Sequence, residues 1–164
     1  MDLIVEPAGW ALWGEKRLRC ALGRAGISRQ KREGDGASPA GSFLMRRLFY
    51  RADRIPRPAS GLAMQAITLA DGWCDDPGDA AYNRPVALPY KARAERLWRE
   101  DGLYDLVVPL GYNDDPVAPG KGSAIFLHIA RGDYGPTEGC VALSRADLLE
   151  VLKGADTGSR VVIG

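Results

Sequence analysis

The sequence predicts a mainly β fold, a sandwich of short strands with two or so accessory helices, and three observations carry that expectation. Glycine and proline supply 31 of the 164 residues (20 Gly, 11 Pro), well above a background of roughly 12%. The apolar runs are short and broken by turn residues, as strands are. One segment only, near the C-terminus, has both the start and the stop signals of a helix. Length alone bounds the chain to one domain spanning 1–164, with room for a core that needs neither disulfide nor metal.

The elements follow in order. Leu3–Val5, Trp10–Trp13 and Arg17–Leu22 are apolar or alternating runs, and Trp13-Gly14-Glu15-Lys16 supplies a hairpin turn. A polar loop from Lys31 to Gly41 precedes an extended pattern over Ser42–Tyr50, and Ala63–Leu69 reads as a further strand. An irregular stretch runs from Gly72 to Pro89; structureless stretches of that length are often functional. Lys91–Glu100 is expected to be a helix, with Ala94, Leu97 and Trp98 on one face. Leu103–Leu110 and Ala124–Ile129 are β-prone apolar runs. Ser144-Arg145-Ala146-Asp147 is a capping box opening a helix whose stripe is Leu148, Leu149, Val151 and Leu152, with Gly154 as its stop. Arg160–Ile163 closes as a strand.

Composition excludes several classes of function. Twenty-two Lys+Arg against 21 Asp+Glu give a net charge of +1, not the basic excess of a nucleic-acid binder. Arg46, Arg47, Arg51, Arg54 and Arg57 form a local cluster that reads first as a solvated edge and second as a surface for an anionic polymer. A single histidine and cysteines at 20, 74 and 140, without CxxC or HExxH, argue against a zinc site, and no EF-hand loop is present. No metal or cofactor is expected. No window reaches the ~18 apolar residues of a membrane span, and Met1-Asp2-Leu3-Ile4-Val5-Glu6-Pro7 lacks the features of a secretory signal.

Chemistry concentrates in one segment. His128 ends the apolar run Ala124–Ile129, and twelve residues later Cys140 follows Gly139 and precedes Val141-Ala142-Leu143. A hairpin would bring the two side chains together across neighbouring strands. An ordinary thiol is only a few per cent ionised at neutral pH, and an imidazole beside it can take its proton. The N–H groups of Gly139 and Cys140 are then candidates to face a developing oxyanion. Activity should fall on acidification as His128 protonates. The order, His before Cys at short spacing, differs from papain-type and caspase-type arrangements. The bland reading is a buried structural cysteine and a satisfied histidine. Cys20 reads as core, and Cys74 as a loop cysteine packed under Trp73.

These residues resemble a known family. His128, then Thr137-Glu138-Gly139-Cys140-Val141-Ala142-Leu143 and Asp147-Leu148, is similar to the active-site signature of L,D-transpeptidases with the YkuD-type catalytic domain. Ala37-Ser38-Pro39-Ala40-Gly41-Ser42-Phe43 resembles the family's Thr-Pro-x-Gly-x-Phe segment, and the two motifs lie in the family's order. The resemblance implies a YkuD-type β-sandwich and acyl transfer on peptidoglycan stem peptides that contain diaminopimelate. Cys140 would be the nucleophile, His128 the base, and Gly139 part of the oxyanion site. D-Ala would leave and a second stem accept the acyl group, in a cross-link of 1,3 or 3,3 type. A monomer in the cell envelope or periplasm is implied, the cytoplasm being the alternative.

The chain departs from the family pattern at three places. Glu138 replaces a second His, Ile129 a frequent Gly, and Ala142 an Arg whose job Arg131 or Arg84 is expected to fill. Thr137, Glu138, Arg131, Asp76, Tyr82, Asn83, Arg84 and Tyr112 are the expected substrate-binding residues; for Asp76, Tyr82-Asn83 and Tyr112-Asn113 the competing reading is a turn. Two alternatives stay open: water as acceptor, giving an L,D-carboxypeptidase or amidase, and a non-catalytic wall-binding domain.

Overall fold

The computed structural model describes residues 1–164. β1 (Leu3–Glu6), β2 (Trp10–Trp13) and β3 (Lys16–Ala21) form the antiparallel meander expected from their alternation, turned at Gly14. β4 (Ile27–Ser28) and β5 (Ser38–Pro39) pair in parallel across the polar loop. β6 (Gly41–Leu44), β7 (Leu48–Tyr50) and β8 (Met64–Ala66) follow. β9 (Asp71–Cys74), β10 (Pro85–Ala87) and β11 (Ala94–Arg96) make a small separate sheet with β9 in the centre. β12 (Leu106–Pro109), β13 (Phe126–Ile129), β14 (Val141–Leu143), α1 (Arg145–Gly154) and β15 (Arg160–Ile163) complete the chain.

The large sheet has ten strands in the order β6-β15-β1-β2-β3-β14-β13-β12-β7-β8. It curls until its two halves meet: Met45, just beyond β6, bridges Leu110, just beyond β12. Inside the curl lies the main core, where Leu3, Val5, Leu106, Leu127, Leu143 and Val161 are fully buried. α1 packs Leu148, Val151 and Leu152 into it, each burial worth about 1.5–3 kcal/mol over exposure. Its N-cap is the expected one, Ser144 Oγ accepting from Asp147 N at 3.1 Å.

The outer face of the β7–β12–β13 half carries a second, smaller cluster: Phe49, Ile67, Leu97, Tyr104, Val107, Ala124, Phe126 and Cys140. Trp73, from the small sheet, packs on it, its ring edge-on to Phe126 at 5.2 Å. Strand β13 is therefore covered on both faces, which is why Ala124–Ile129 reads as a continuous apolar run rather than an alternating one.

Two expectations are corrected. Lys91–Glu100 is not a helix, so the fold has one helix where two or so were expected. Its backbone pairs outward instead, Ala94 with Cys74 and Glu95 with Trp73, while Leu97 enters the small cluster and Trp98 stacks on Arg51 at 3.5 Å. The segment has no N-cap residue ahead of Lys91, and so short a helix is marginal without one. The irregular stretch 72–89 contains the rest of the small sheet. The arginine cluster is largely occupied: Arg46 pairs with Asp114, Arg51 with Asp53, and Arg54 with Asp105 and Glu100. No helix is long and apolar enough to cross a membrane.

Candidate active site

The register of β13 and β14 builds the site. The two strands are parallel, not the hairpin expected from their spacing, with His128 opposite Ala142 and Leu127 opposite Val141. The connection loops back along the end of β3, where Thr137 bridges Gly23, and so re-enters in the same direction. Side chains two residues apart share a face, so Cys140 lies on the face of Ala142 and His128, beside Phe126. Phe126 N–H points at Cys140 Sγ (3.4 Å), and the thiol donates to Ala124 O at 3.3 Å.

Cys140 and His128 both line a cleft of about 390 Å³ between the large sheet, the small sheet and the Lys31–Asp35 loop. His128 Nδ1–H donates to the carbonyl of Ile129 at 2.8 Å, which leaves Nε2 as the basic nitrogen. Tyr104 stands edge-on to the imidazole, ring centres 5.3 Å apart, and its hydroxyl donates to Glu95. Burial lowers the His128 pKa to about 4, while its bond to Ile129 opposes that shift. Burial pushes the Cys140 thiol up to about 12, and the charge of Glu95 adds to the rise. The Phe126 N–H and the charges of Lys31 and Arg99 act the other way. Burial thus favours a neutral thiol and a neutral imidazole over a thiolate–imidazolium pair.

The two sequence motifs meet here. Ser38, fully buried in β5, accepts from Gly23 N at 2.9 Å and donates to the Cys140 carbonyl at 3.4 Å. Thr137 Oγ1 donates to the same carbonyl at 2.7 Å and accepts from Gly139 N at 3.1 Å. Gly139 has φ +139°, and a Cβ there would lie 2.8 Å from the Ala37 carbonyl, so only glycine fits. This arrangement corrects one assignment: the Gly139 N–H is already engaged by Thr137 Oγ1 and is not a free oxyanion donor in this structure.

The remaining expected residues divide. Thr137, Glu138 and Arg131 line the cleft. Thr137 spends its hydroxyl on the nucleophile's own loop, and Glu138 reaches outward to Arg24 at 3.2 Å. Asp76, Tyr82, Asn83, Arg84 and Tyr112 stand away from it. Asp76 caps its own turn by accepting from Gly78 N. Tyr82 is buried, donating to Glu33 at 2.7 Å and accepting from Gly122 N. Asn83 is a buried hub with φ +57°: its amide donates to Tyr112 O and Asn113 O, and its oxygen accepts from Trp73 Nε1 and Ala124 N. Arg84 donates to Asp114 O, and Tyr112 packs edge-on to Phe43 with its hydroxyl on Lys121 O. These five support the walls instead of forming the rim; aromatic and amide residues in a loop sequence do not reveal which way they turn. Cys20 is core, as read, and Cys74 is buried with its thiol directed at Asp79.

Of Asp75 and Asp76, both candidates in the sequence for binding an ammonium, it is Asp75 that lines the cleft; Lys31, Glu33, Glu95, Arg99 and Tyr104 also line it and are not singled out by sequence reasoning. Burial raises the pKa of the Glu95 carboxyl, against the opposing effects of Tyr104 and Arg99. Lys31 and Glu33 carried a signal, as part of a polar, glycine-containing loop directly ahead of the Ser38-Pro39 motif.

Residues 11–163 match the YkuD L,D-transpeptidase catalytic domain family. The chain belongs to that family. Among solved structures it is similar to the helical cell shape determining protein Pgp2 from Campylobacter jejuni, at 14% identity and a TM-score of 0.47. The similarity covers 99% of this chain and 46% of that one, so this chain spans about half the length of that relative. No match was found among curated proteins. Within the L,D-transpeptidase frame, Ala142 still stands where the family's arginine is expected, and the cations in the cleft are Lys31, Arg99 and Arg131.

Proposed function

We propose that this L,D-transpeptidase domain transfers acyl groups between peptidoglycan stem peptides through a thioester on Cys140. One observation carries the reading: the chain's only histidine and a cysteine lie on the same face of adjacent strands, in one cleft, with His128 Nδ1 fixed and Nε2 free. The substrate carbonyl is the L-centre of diaminopimelate in a stem tetrapeptide. The Cys140 sulfur lone pair forms the S–C bond while the thiol proton passes to His128 Nε2. The carbonyl π pair moves onto oxygen, and its return breaks the C–N bond. Terminal D-Ala leaves as the amine and takes the proton from His128. The amine of a second stem then attacks the thioester carbon and gives a proton to His128. The C–S bond breaks as the new C–N bond is completed, and the departing sulfur takes that proton back from His128 to restore the thiol.

Because burial favours the neutral pair, His128 acts as general base during attack rather than by holding a preformed thiolate. Acids (Glu33, Asp75, Glu95) and bases (Arg99, Arg131, Lys31) both line the cleft, which suits a ligand carrying ammonium and carboxylate together, as diaminopimelate does. The cell envelope, where assembled peptidoglycan presents such stems, is the proposed site of action. The test is mass spectrometry of products from purified tetrapeptide muropeptides, wild type beside Cys140→Ala. Cross-linked dimers from the wild type alone are expected, and fragmentation distinguishes 1,3 from 3,3 linkage. Tripeptide and free D-Ala without dimers would replace the amine by water as acceptor. Turnover retained in Cys140→Ala would overturn the reading.

A further inference from the structure

Lysine is rarely buried without a partner, yet the Lys31 side chain is only 4% exposed. Its ammonium donates to Asp35 Oδ1 at 2.8 Å and to the Arg32 carbonyl at 3.3 Å. Asp35 is itself fixed, accepting from the N–H groups of Arg32 and Ala37 at 2.8 and 2.9 Å. An ammonium has three N–H donors, so one remains without a protein acceptor, and Lys31 lines the cleft that holds Cys140. The ammonium also abuts the nucleophile's loop: Nζ lies 3.4 Å from where a Cβ on Gly139 would stand.

Two vacancies make this placement informative. The Gly139 N–H is engaged by Thr137 Oγ1, so of the two backbone donors expected for the oxyanion only that of Cys140 is left. Ala142 supplies no charge where the family's arginine is expected. Arg131 sits at the rim, and Arg99 is held by Asp101. Lys31 alone among the cleft's cations is buried and next to the reacting loop.

We propose that Lys31 is a catalytic residue of this site, donating its third N–H, together with the Cys140 N–H, to the oxyanion formed when Cys140 attacks the substrate carbonyl. The proposal rests on the acyl-transfer reading above. As the S–C bond forms and the thiol proton reaches His128, the carbonyl π pair becomes the oxyanion lone pair held by Lys31. When that pair returns, the C–N bond breaks and the leaving amine takes the proton from His128. Lys31 donates a hydrogen bond and transfers no proton in either step.

The test compares two reactions of one thiol in the full chain, each followed at Cys140 by peptide mass mapping. Acylation by a carbapenem passes through a tetrahedral oxyanion; alkylation by iodoacetamide displaces iodide and does not. Lys31→Met should slow acylation by about 100-fold or more, the usual cost of losing an oxyanion donor, while alkylation changes by less than about tenfold. Lys31→Arg should recover most of the acylation rate. The double variant Lys31→Met/Asp35→Asn removes the carboxylate that the single change leaves unpaired, and should show the same selective loss if the single variant folds poorly. An equal fall in both reactions, or in neither, overturns the proposal while leaving the acyl-transfer reading in place. A wild type that is alkylated but never acylated removes the reading and the proposal together.

Discussion

Acidification offers the sharpest perturbation, because this chain has one histidine and it is buried. In the folded protein the His128 pKa is lowered by burial from 6.5 to about 4. Above pH 6.5 the ring is neutral in both folded and unfolded chains, and it contributes nothing to the pH dependence. As pH falls below 6.5 the unfolded chain takes up the proton first, so stability is lost; the loss ends once the folded ring also protonates near 4. At 1.36 kcal/mol per tenfold change, the loss is about 2 kcal/mol by pH 5 and approaches about 3 kcal/mol below pH 4. Carboxylates add their own slopes, so the measurement is a difference: denaturant unfolding of wild type and His128→Gln from pH 7 to 4. The wild type should lose about 2 kcal/mol more than the variant by pH 5. NMR gives an independent check, since a single imidazole Cε1–H resonance belongs to the whole chain and should not move until close to pH 4. Turnover, in consequence, should hold its acid limb near that pH and not near 6.5, which revises the simple expectation for an exposed imidazole. A resonance titrating at 6.5, or parallel pH slopes for the two proteins, would refute the reasoning.

Other substitutions test the scaffold. Gly139→Ala forces a Cβ against the Ala37 carbonyl at a φ reserved for glycine, and should cost about 1–3 kcal/mol by thermal unfolding; a loss under about 0.5 kcal/mol would refute the clash. Ser38→Ala leaves the buried Gly23 N–H without its acceptor, a loss of about 1–3 kcal/mol, and should slow carbapenem acylation by freeing the Cys140 carbonyl. Asn83→Ala removes four hydrogen bonds that tie the small sheet to the loops beneath it, and should cost more than about 2 kcal/mol, with faster amide exchange in β9 and β10 as its signature.

What the sequence made legible was local or paired by motif. The capped helix at Arg145–Gly154 carried its boundaries in Ser144, Asp147 and Lys153. The meander of β1 to β3 carried its alternation and its Gly14 turn. His128 and Cys140 stood out because each is a rare residue type beside an apolar strand. The small sheet was illegible because its strands are three or four residues long and pair across irregular loops, so Ala94, Leu97 and Trp98 imitated a helical stripe. Lys31, Glu95 and Tyr104 reach the cleft from three separate segments, and nothing local in a charged or aromatic residue announces burial. The turned backs of Tyr82 and Asn83 were hidden for the same reason: their polar atoms find partners more than twenty-five residues away in Glu33, Tyr112 and Ala124.

Strand β15 touches no reacting group, yet it anchors the segment that leads into the site. It is the strand between β1 and β6, so β6 joins the large sheet through β15. β6 follows β5 after a single residue, and β5 holds the Cys140 carbonyl through Ser38. Met45, at the far end of β6, is likewise hung from the Ser159 carbonyl just before β15. The frame that aims the thiol is thus tied, through β6, to a strand on the far part of the large sheet. A substitution that loosens β15 should therefore be felt at the carbonyl of the nucleophile, although no atom of that strand reaches the cleft.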